Sequence, residues 1–170
     1  GNLSKWNLSK VYSIAKMFAG CVFSGDISSW NVSNVSRMEG LFSGNKAFDG
    51  NLSKWNVSKV TNMSYMFLNA ESFSGVSISG WDVSNVEKMN SMFNKASKFI
   101  GDISKWNVSK VINMRDMFRE SSFNGDISRW NVSNVKDMNG MFAHASSFNS
   151  DISRWDISKV TCTYSMFYGV

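Results

Sequence analysis

The sequence predicts an α/β solenoid of about seven coils of ~25 residues, with a parallel β-sheet on one face and short α or 3₁₀ helices on the other. Three observations predict it. Tryptophan recurs as Trp6, Trp30, Trp55, Trp81, Trp106, Trp130 and Trp155, with gaps of 24, 25, 26, 25, 24 and 25 residues. The distance from each Trp to the Phe of the next Met-Phe or Leu-Phe pair is 12 in all seven repeats, from Trp6–Phe18 to Trp155–Phe167. Within each repeat the apolar period changes from two to about three.

The strand is expected first. Ile27-x-x-Trp30-x-Val32-x-x-Val35 and its relatives, such as Leu52-x-x-Trp55-x-Val57-x-x-Val60, carry leucine-rich-repeat spacing, with Trp in a leucine slot. The alternating Trp-x-Val core reads as a short strand with one face buried, so Trp55 and Val57 are placed on an inner wall. The helix is expected next. Val60, Met63, Met66-Phe67, Ala70 and Phe73 step by three and one, which reads as a helical turn or two across the back. A Ser precedes it in every copy (Ser9, Ser33, Ser58, Ser84, Ser109, Ser133, Ser158) and is weighed as an N-cap. Phe-x-Gly-Asp then turns the chain, with Gly25, Gly50, Gly75, Gly101 and Gly125 supplying φ freedom. The return leg varies in length, with edits at residues 19–22, 74–80 and 119–122, and is the loop side.

Stacked coils bury what one coil cannot, so equivalent residues form ladders on rungs about 4.8 Å apart. Trp, Met and Phe ladders make the core, with Met filling gaps beside aromatic rings. The residue after the Ser alternates strictly: Lys10, Asn34, Lys59, Asn85, Lys110, Asn134, Lys159. Like charges one rung apart repel, and alternation relieves them. Descent from a doubled two-repeat unit is the other reading.

Composition bounds the function. The 170 residues are 43% hydrophobic, with net charge +5 and no proline. This suits one solenoid domain, residues 1–170, with mixed surface charge. No apolar run reaches the ~20 residues of a membrane span. The chain opens and stops within a repeat and is read as a segment of a longer protein, with any signal, anchor or cap outside it. Cys21 and Cys162 lie six coils apart, beyond the reach of a disulfide. His144 is the only histidine, and no nucleophile–base–orienter set accompanies it. No enzyme and no cofactor are therefore expected. Zinc is not indicated. Gly-Asp pairs at residues 25–26, 101–102 and 125–126 raise calcium but lack a dense Gly/Asp signature, so no metal site is assigned. Nucleic acid is not expected, because no aromatic lies on the exposed strand face.

The binding candidates are the outward strand columns. The basic column before Trp contributes Lys5, Lys54, Lys105, Arg129 and Arg154. The amide column after Trp contributes Asn31, Asn56, Asp82, Asn107 and Asn131. With the Ser column they form a hydrophilic face suited to a protein or polysaccharide partner. The alternative is that the Asn side chains hydrogen-bond along their own ladder and only stabilise the stack.

The string FNGDISRWNVSNVKDMNGMF at residues 123–142 resembles the BspA-like leucine-rich repeat of bacterial surface proteins. The likeness covers essentially the whole chain. It implies a leucine-rich-repeat-type solenoid at a cell surface or outside the cell, acting in adhesion or protein binding, and brings no catalytic residues. The competing expectation is a structural spacer or filament element that associates end to end.

Overall fold

The computed structural model describes residues 2–170; Gly1 lies outside them. The chain winds as a solenoid of stacked coils in register. Trp30 stacks on Trp55 at 6.3 Å between ring centroids and 5° between planes. Phe42, Phe67 and Phe93 stack in a second column at 5.6 and 5.8 Å.

The coils are not built as the spacing suggests. Among the described residues there is no helix, and the only strand-like positions are single bridged residues. The α/β architecture with a parallel sheet and a helical back is therefore overturned, and with it the leucine-rich-repeat type. Each coil is instead a succession of tight turns closed by i→i−3 bonds. In the third coil the main-chain N–H groups of Trp55, Val60, Met66, Leu68, Ala70 and Phe73 donate to the carbonyls of Leu52, Val57, Met63, Tyr65, Phe67 and Ala70.

Left-handed residues keep these turns from continuing as a helix. Tyr65 and Asn69 have φ of 60° and 54° at the third positions of the turns 63–66 and 67–70. Every coil repeats both positions. Ten residues after Trp stand Lys16, Gly40, Tyr65, Ser91, Asp116, Gly140 and Ser165; fourteen after it stand Gly20, Gly44, Asn69, Lys95, Glu120, His144 and Gly169, all with φ between 52° and 72°. None of the fourteen is β-branched, as the steric cost of this conformation demands.

The two walls also exchange roles. Parallel bridges join Ser13, Arg37, Asn62, Lys88, Asn113, Asp137 and Cys162, seven residues after each Trp. From there the main-chain ladder runs along the segment expected to be helical. Met63, Tyr65, Phe67 and Asn69 donate to the carbonyls of Lys88, Asn90, Met92 and Asn94 at 2.7–2.9 Å. The expected strand around Trp carries no main-chain bond between coils among the described residues. Side chains join the coils there. Six indoles donate from Nε1 to the coil before: Trp30 to Leu3, Trp55 to Ile27, Trp81 to Leu52, Trp106 to Ile78, Trp130 to Ile103 and Trp155 to Ile127, at 2.9–3.2 Å.

The expected core is the observed one. Trp, Val, Met and Phe columns are buried through the central coils, and the end coils are more open, with Trp6 51% and Phe167 49% exposed. Paired Phe rings within a coil fill its interior, Phe67 against Phe73 and Phe93 against Phe99 at 3.7 Å. The glycines of the Phe-x-Gly turns serve mainly this packing. Of the five, only Gly75 has a positive φ (76°). At Gly50 a Cβ would stand 2.7 Å from the ring of Phe48, so the space belongs to the aromatic.

Two outcomes follow. Ser91 pays a left-handed cost at φ 55°, so Ser91→Gly is expected to raise stability by about 0.5 kcal/mol, and Ser91→Val to lower it by more than ~2 kcal/mol, in urea titrations. Trp106→Phe removes the indole bond to Ile78, whose carbonyl keeps the Trp81 N–H. The expected loss is about 1–2 kcal/mol with the stack intact by circular dichroism.

Candidate functional site

Two exposed walls are available for recognition. The Trp wall carries the candidates read from the sequence. Lys5, Lys54, Lys105, Arg129, Arg154, Asn31, Asn56, Asp82, Asn107 and Asn131 are all exposed. None of the five cations is in an ion pair among the described residues. Ser29 and Gly80 interrupt their column, so the basic edge is discontinuous.

The amide column is engaged locally. The side-chain oxygens of Asn31, Asn56, Asp82, Asn107 and Asn131 accept the N–H of the Ser two residues on, at 3.0–3.1 Å. This is the Asx-turn, which fixes the bend after Trp. The expected Asn ladder from coil to coil is replaced by these short-range bonds. The Ser column is likewise not a set of helix caps, because no helix follows it; its N–H groups are the donors here.

A second Asx-turn opens six of the seven coils, the exception being the Trp81 coil, where Ser77 stands in that place. Asp26, Asp102, Asp126 and Asp151 accept the N–H of Ser28, Ser104, Ser128 and Ser153 at 2.9–3.0 Å. The Gly-Asp carboxylates considered for calcium are thus spent on the backbone. Among the described residues no group of three or more His, Cys, Asp or Glu side chains is placed to share a metal ion. Hydrogen bonds from Ser104 hold the Asp102 carboxyl below its ordinary 3.8, first through the hydroxyl and then the N–H. Asp126 and Asp82 are lowered in the same way by Ser128 and Ser84. For Asp26, Asp151 and Asp156 the main-chain N–H leads.

The Lys/Asn alternation proves to be a directional relay. Asn34 donates from Nδ2 to the Ser9 carbonyl at 2.7 Å and accepts Lys59 Nζ on Oδ1 at 2.7 Å. Ser58–Asn85–Lys110 and Ser109–Asn134–Lys159 repeat it.

The turn wall was not singled out by the sequence reading. Its outward columns change from coil to coil. Nine residues after Trp stand Ala15, Glu39, Ser64, Asn90, Arg115, Asn139 and Tyr164, and ten after it the left-handed column named above. The signal was present: these are the positions at which near-identical repeats differ. Glycines open notches in this wall. At Gly40 a notch of about 520 Å³ is lined by Lys16, Gly20, Ser43, Tyr65 and Leu68 among others. A smaller one of about 150 Å³ at Gly140 is lined by Arg115, Asp116, Arg119 and Tyr164. His144 is exposed and meets Tyr168 edge-on at 5.0 Å. Cys21 and Cys162 are free thiols. Among the described residues no helix is long and apolar enough to cross a membrane.

The fold is that of a repeat solenoid, defined by a seven-times-repeated coil. The model of one family, described as "Mycoplasma protein of unknown function, DUF285", matches residues 1–99 and again 73–170. Together the two matches span the whole chain, and the chain belongs to that repeat family. No curated protein and no solved structure matches it.

The lowered carboxyls predict a pH effect. The folded state favours their ionised form, so their stabilisation is present above the ordinary value of 3.8 and is lost as pH falls through the lower folded values. A variant carrying Asp102→Asn, Asp126→Asn and Asp151→Asn keeps the acceptor oxygen, as Asn51 does for Ser53 at 2.9 Å. Thermal melts are expected to lie slightly below the parent at pH 7, to fall less between pH 5 and pH 3, and to converge on the parent at the acid end.

Proposed function

We propose that this chain is a non-catalytic repeat module displayed at a cell surface, which binds a protein or polysaccharide partner in adhesion. The observation that carries this reading is the division of labour between the walls. The Trp wall repeats with little change, whereas the combination of side chains on the turn wall varies from coil to coil. A stack needs no such variety to hold together, and recognition does. The BspA-like likeness, a closer kinship than the repeat family itself, belongs to this reading and supplies its cell-surface setting. The competing reading, a spacer or filament element, draws support from the near-identity of the Trp wall.

The unpaired cations before Trp supply long-range attraction for acidic partners, and the turn wall supplies selectivity. The test is a glycan and protein array probed with the intact chain. Reversal of Lys54, Lys105 and Arg129 to Glu is expected to weaken capture at least tenfold at low salt without changing the melting temperature. Absence of any ligand, together with a mass that rises with concentration in light scattering, would support the spacer instead.

A further inference from the structure

The turn wall has one place where a missing side chain, an aromatic ring and unpaired cations meet. In the second coil the left-handed position is Gly40, which projects no side chain, and the Lys16 stem of the first coil lies over it, 3.1 Å from where a Cβ would stand, on the side facing Tyr65 of the third. Two recesses open there, of about 520 and 540 Å³, and both are lined by Lys16, Gly40 and Tyr65. Each lies within the usual size of small-ligand sites, about 300–1,000 Å³.

The chemistry of the lining is specific. Tyr65 is 44% exposed and is the only aromatic residue in either recess. Arg37 donates from Nε and Nη2 to a single oxygen of Glu39, which cancels that pair of charges. The other oxygen, Oε2, is buried without a partner. Lys16 and Lys88 belong to no ion pair among the described residues. The recess thus presents two uncompensated positive charges. Asn62 and Asn90 have their oxygens occupied, by the Ser64 N–H and the Ser64 hydroxyl at 3.0 and 2.6 Å, so each keeps its NH₂ group for a ligand.

We propose that the Gly40 recess is a binding site for an acidic saccharide, a disaccharide carrying a hexuronate carboxylate. The ring of Tyr65 offers an apolar surface to the C–H face of a sugar, whose hydrogens meet the electron-rich π cloud. The amides of Asn62 and Asn90 address its hydroxyls. Lys16 and Lys88 address its carboxylate. The Gly140 notch shares the gap but not the charge, since Asp116 there stands 3.4 and 3.6 Å from Arg115 and Arg119. This assignment rests on the binding-module reading and names the ligand class for it.

The test is calorimetric titration of the intact chain with a hexuronate disaccharide and with its carboxyl-reduced counterpart. Two variants keep the fold. Tyr65→Ser places at φ 60° the residue that Ser91 and Ser165 already hold at 55° and 54°. Gly40→Asn fills the recess with a residue that tolerates its φ of 62°. The acidic disaccharide is expected to bind, the reduced one about fivefold or more weakly, and Tyr65→Ser to lose about tenfold. Gly40→Asn, whose Cβ displaces the Lys16 stem 3.1 Å away, is expected to abolish binding with the fold retained by circular dichroism. No binding of the acidic disaccharide, equal binding of the reduced one, or binding unchanged in both variants would overturn the assignment. Should the chain still capture a protein on the array, only the saccharide assignment falls; should it capture nothing, the binding-module reading falls as well.

Discussion

Two left-handed residues in every coil are the constraint on which the stack depends. A chain that closes i→i−3 turns in succession is one step from a helix, and a helix would consume its own N–H groups. The reversal of φ at Tyr65 and Asn69 breaks that propagation. It turns the N–H groups of Met63, Tyr65, Phe67 and Asn69 outward to the next coil. An L-residue in this conformation costs about 1–2 kcal/mol. The third, fourth and fifth coils meet that cost twice, at Tyr65/Asn69, Ser91/Lys95 and Asp116/Glu120, while the second avoids it with Gly40 and Gly44; main-chain bonds to the neighbouring coils offset it. A lone coil would have the strain and no ladder, which makes stacking obligatory for folding.

The period, the register and the buried columns were legible because they are properties of identity. Residues that recur every 25 positions and are apolar must be buried together, whatever the local backbone. The local backbone was not legible, and the reason is specific. Val60, Met63, Met66 and Phe67 step by three and one in a helix and equally in a chain of three-residue turns. Apolar spacing reports which side chains face inward, not which carbonyl each N–H chooses. The Trp-x-Val alternation misled in the same way: Trp55 and Val57 do point inward, but an Asx-turn from Asn56 to Ser58, not a strand, puts them there. The one available clue was conformational. Glycine appears in the left-handed columns at Gly20, Gly40, Gly44, Gly140 and Gly169, yet Lys, Tyr, Ser, Asp, Glu and His hold the same columns elsewhere and hid the requirement.

The candidate site divides along the same line. Columns that repeat were easy to find and were taken for a binding face. The structure gives part of that face internal partners: the amide-column oxygens accept the N–H of the Ser two residues on, while the five cations stay out of ion pairs among the described residues, and the neighbouring Lys/Asn column forms a relay. Lysine has donors only, whereas asparagine has both donors and an acceptor, so only an Asn can stand between a carbonyl and an ammonium group. Charge relief alone would have been satisfied by any neutral residue in the alternate coils. The hydrogen-bond geometry explains why that residue is asparagine.

Uniformity and recognition therefore occupy different sides of one coil. A wall whose side chains bond the backbone cannot vary without loosening the stack: Asn31 replaced leaves the Ser33 N–H short of a partner, and Trp55 replaced removes the indole bond that ties its coil to Ile27. The turn wall is free of that obligation: its backbone pairs through the main-chain ladder, which is indifferent to side-chain identity apart from the ban on β-branching at the left-handed positions. Side chains there are released to differ, and glycine in place of a larger residue changes the shape of the surface without touching the register. The same substitution yields a cationic recess beside Gly40 and a charge-paired one beside Gly140. A solenoid whose main chain alone holds one wall together is thus able to diversify that wall one coil at a time.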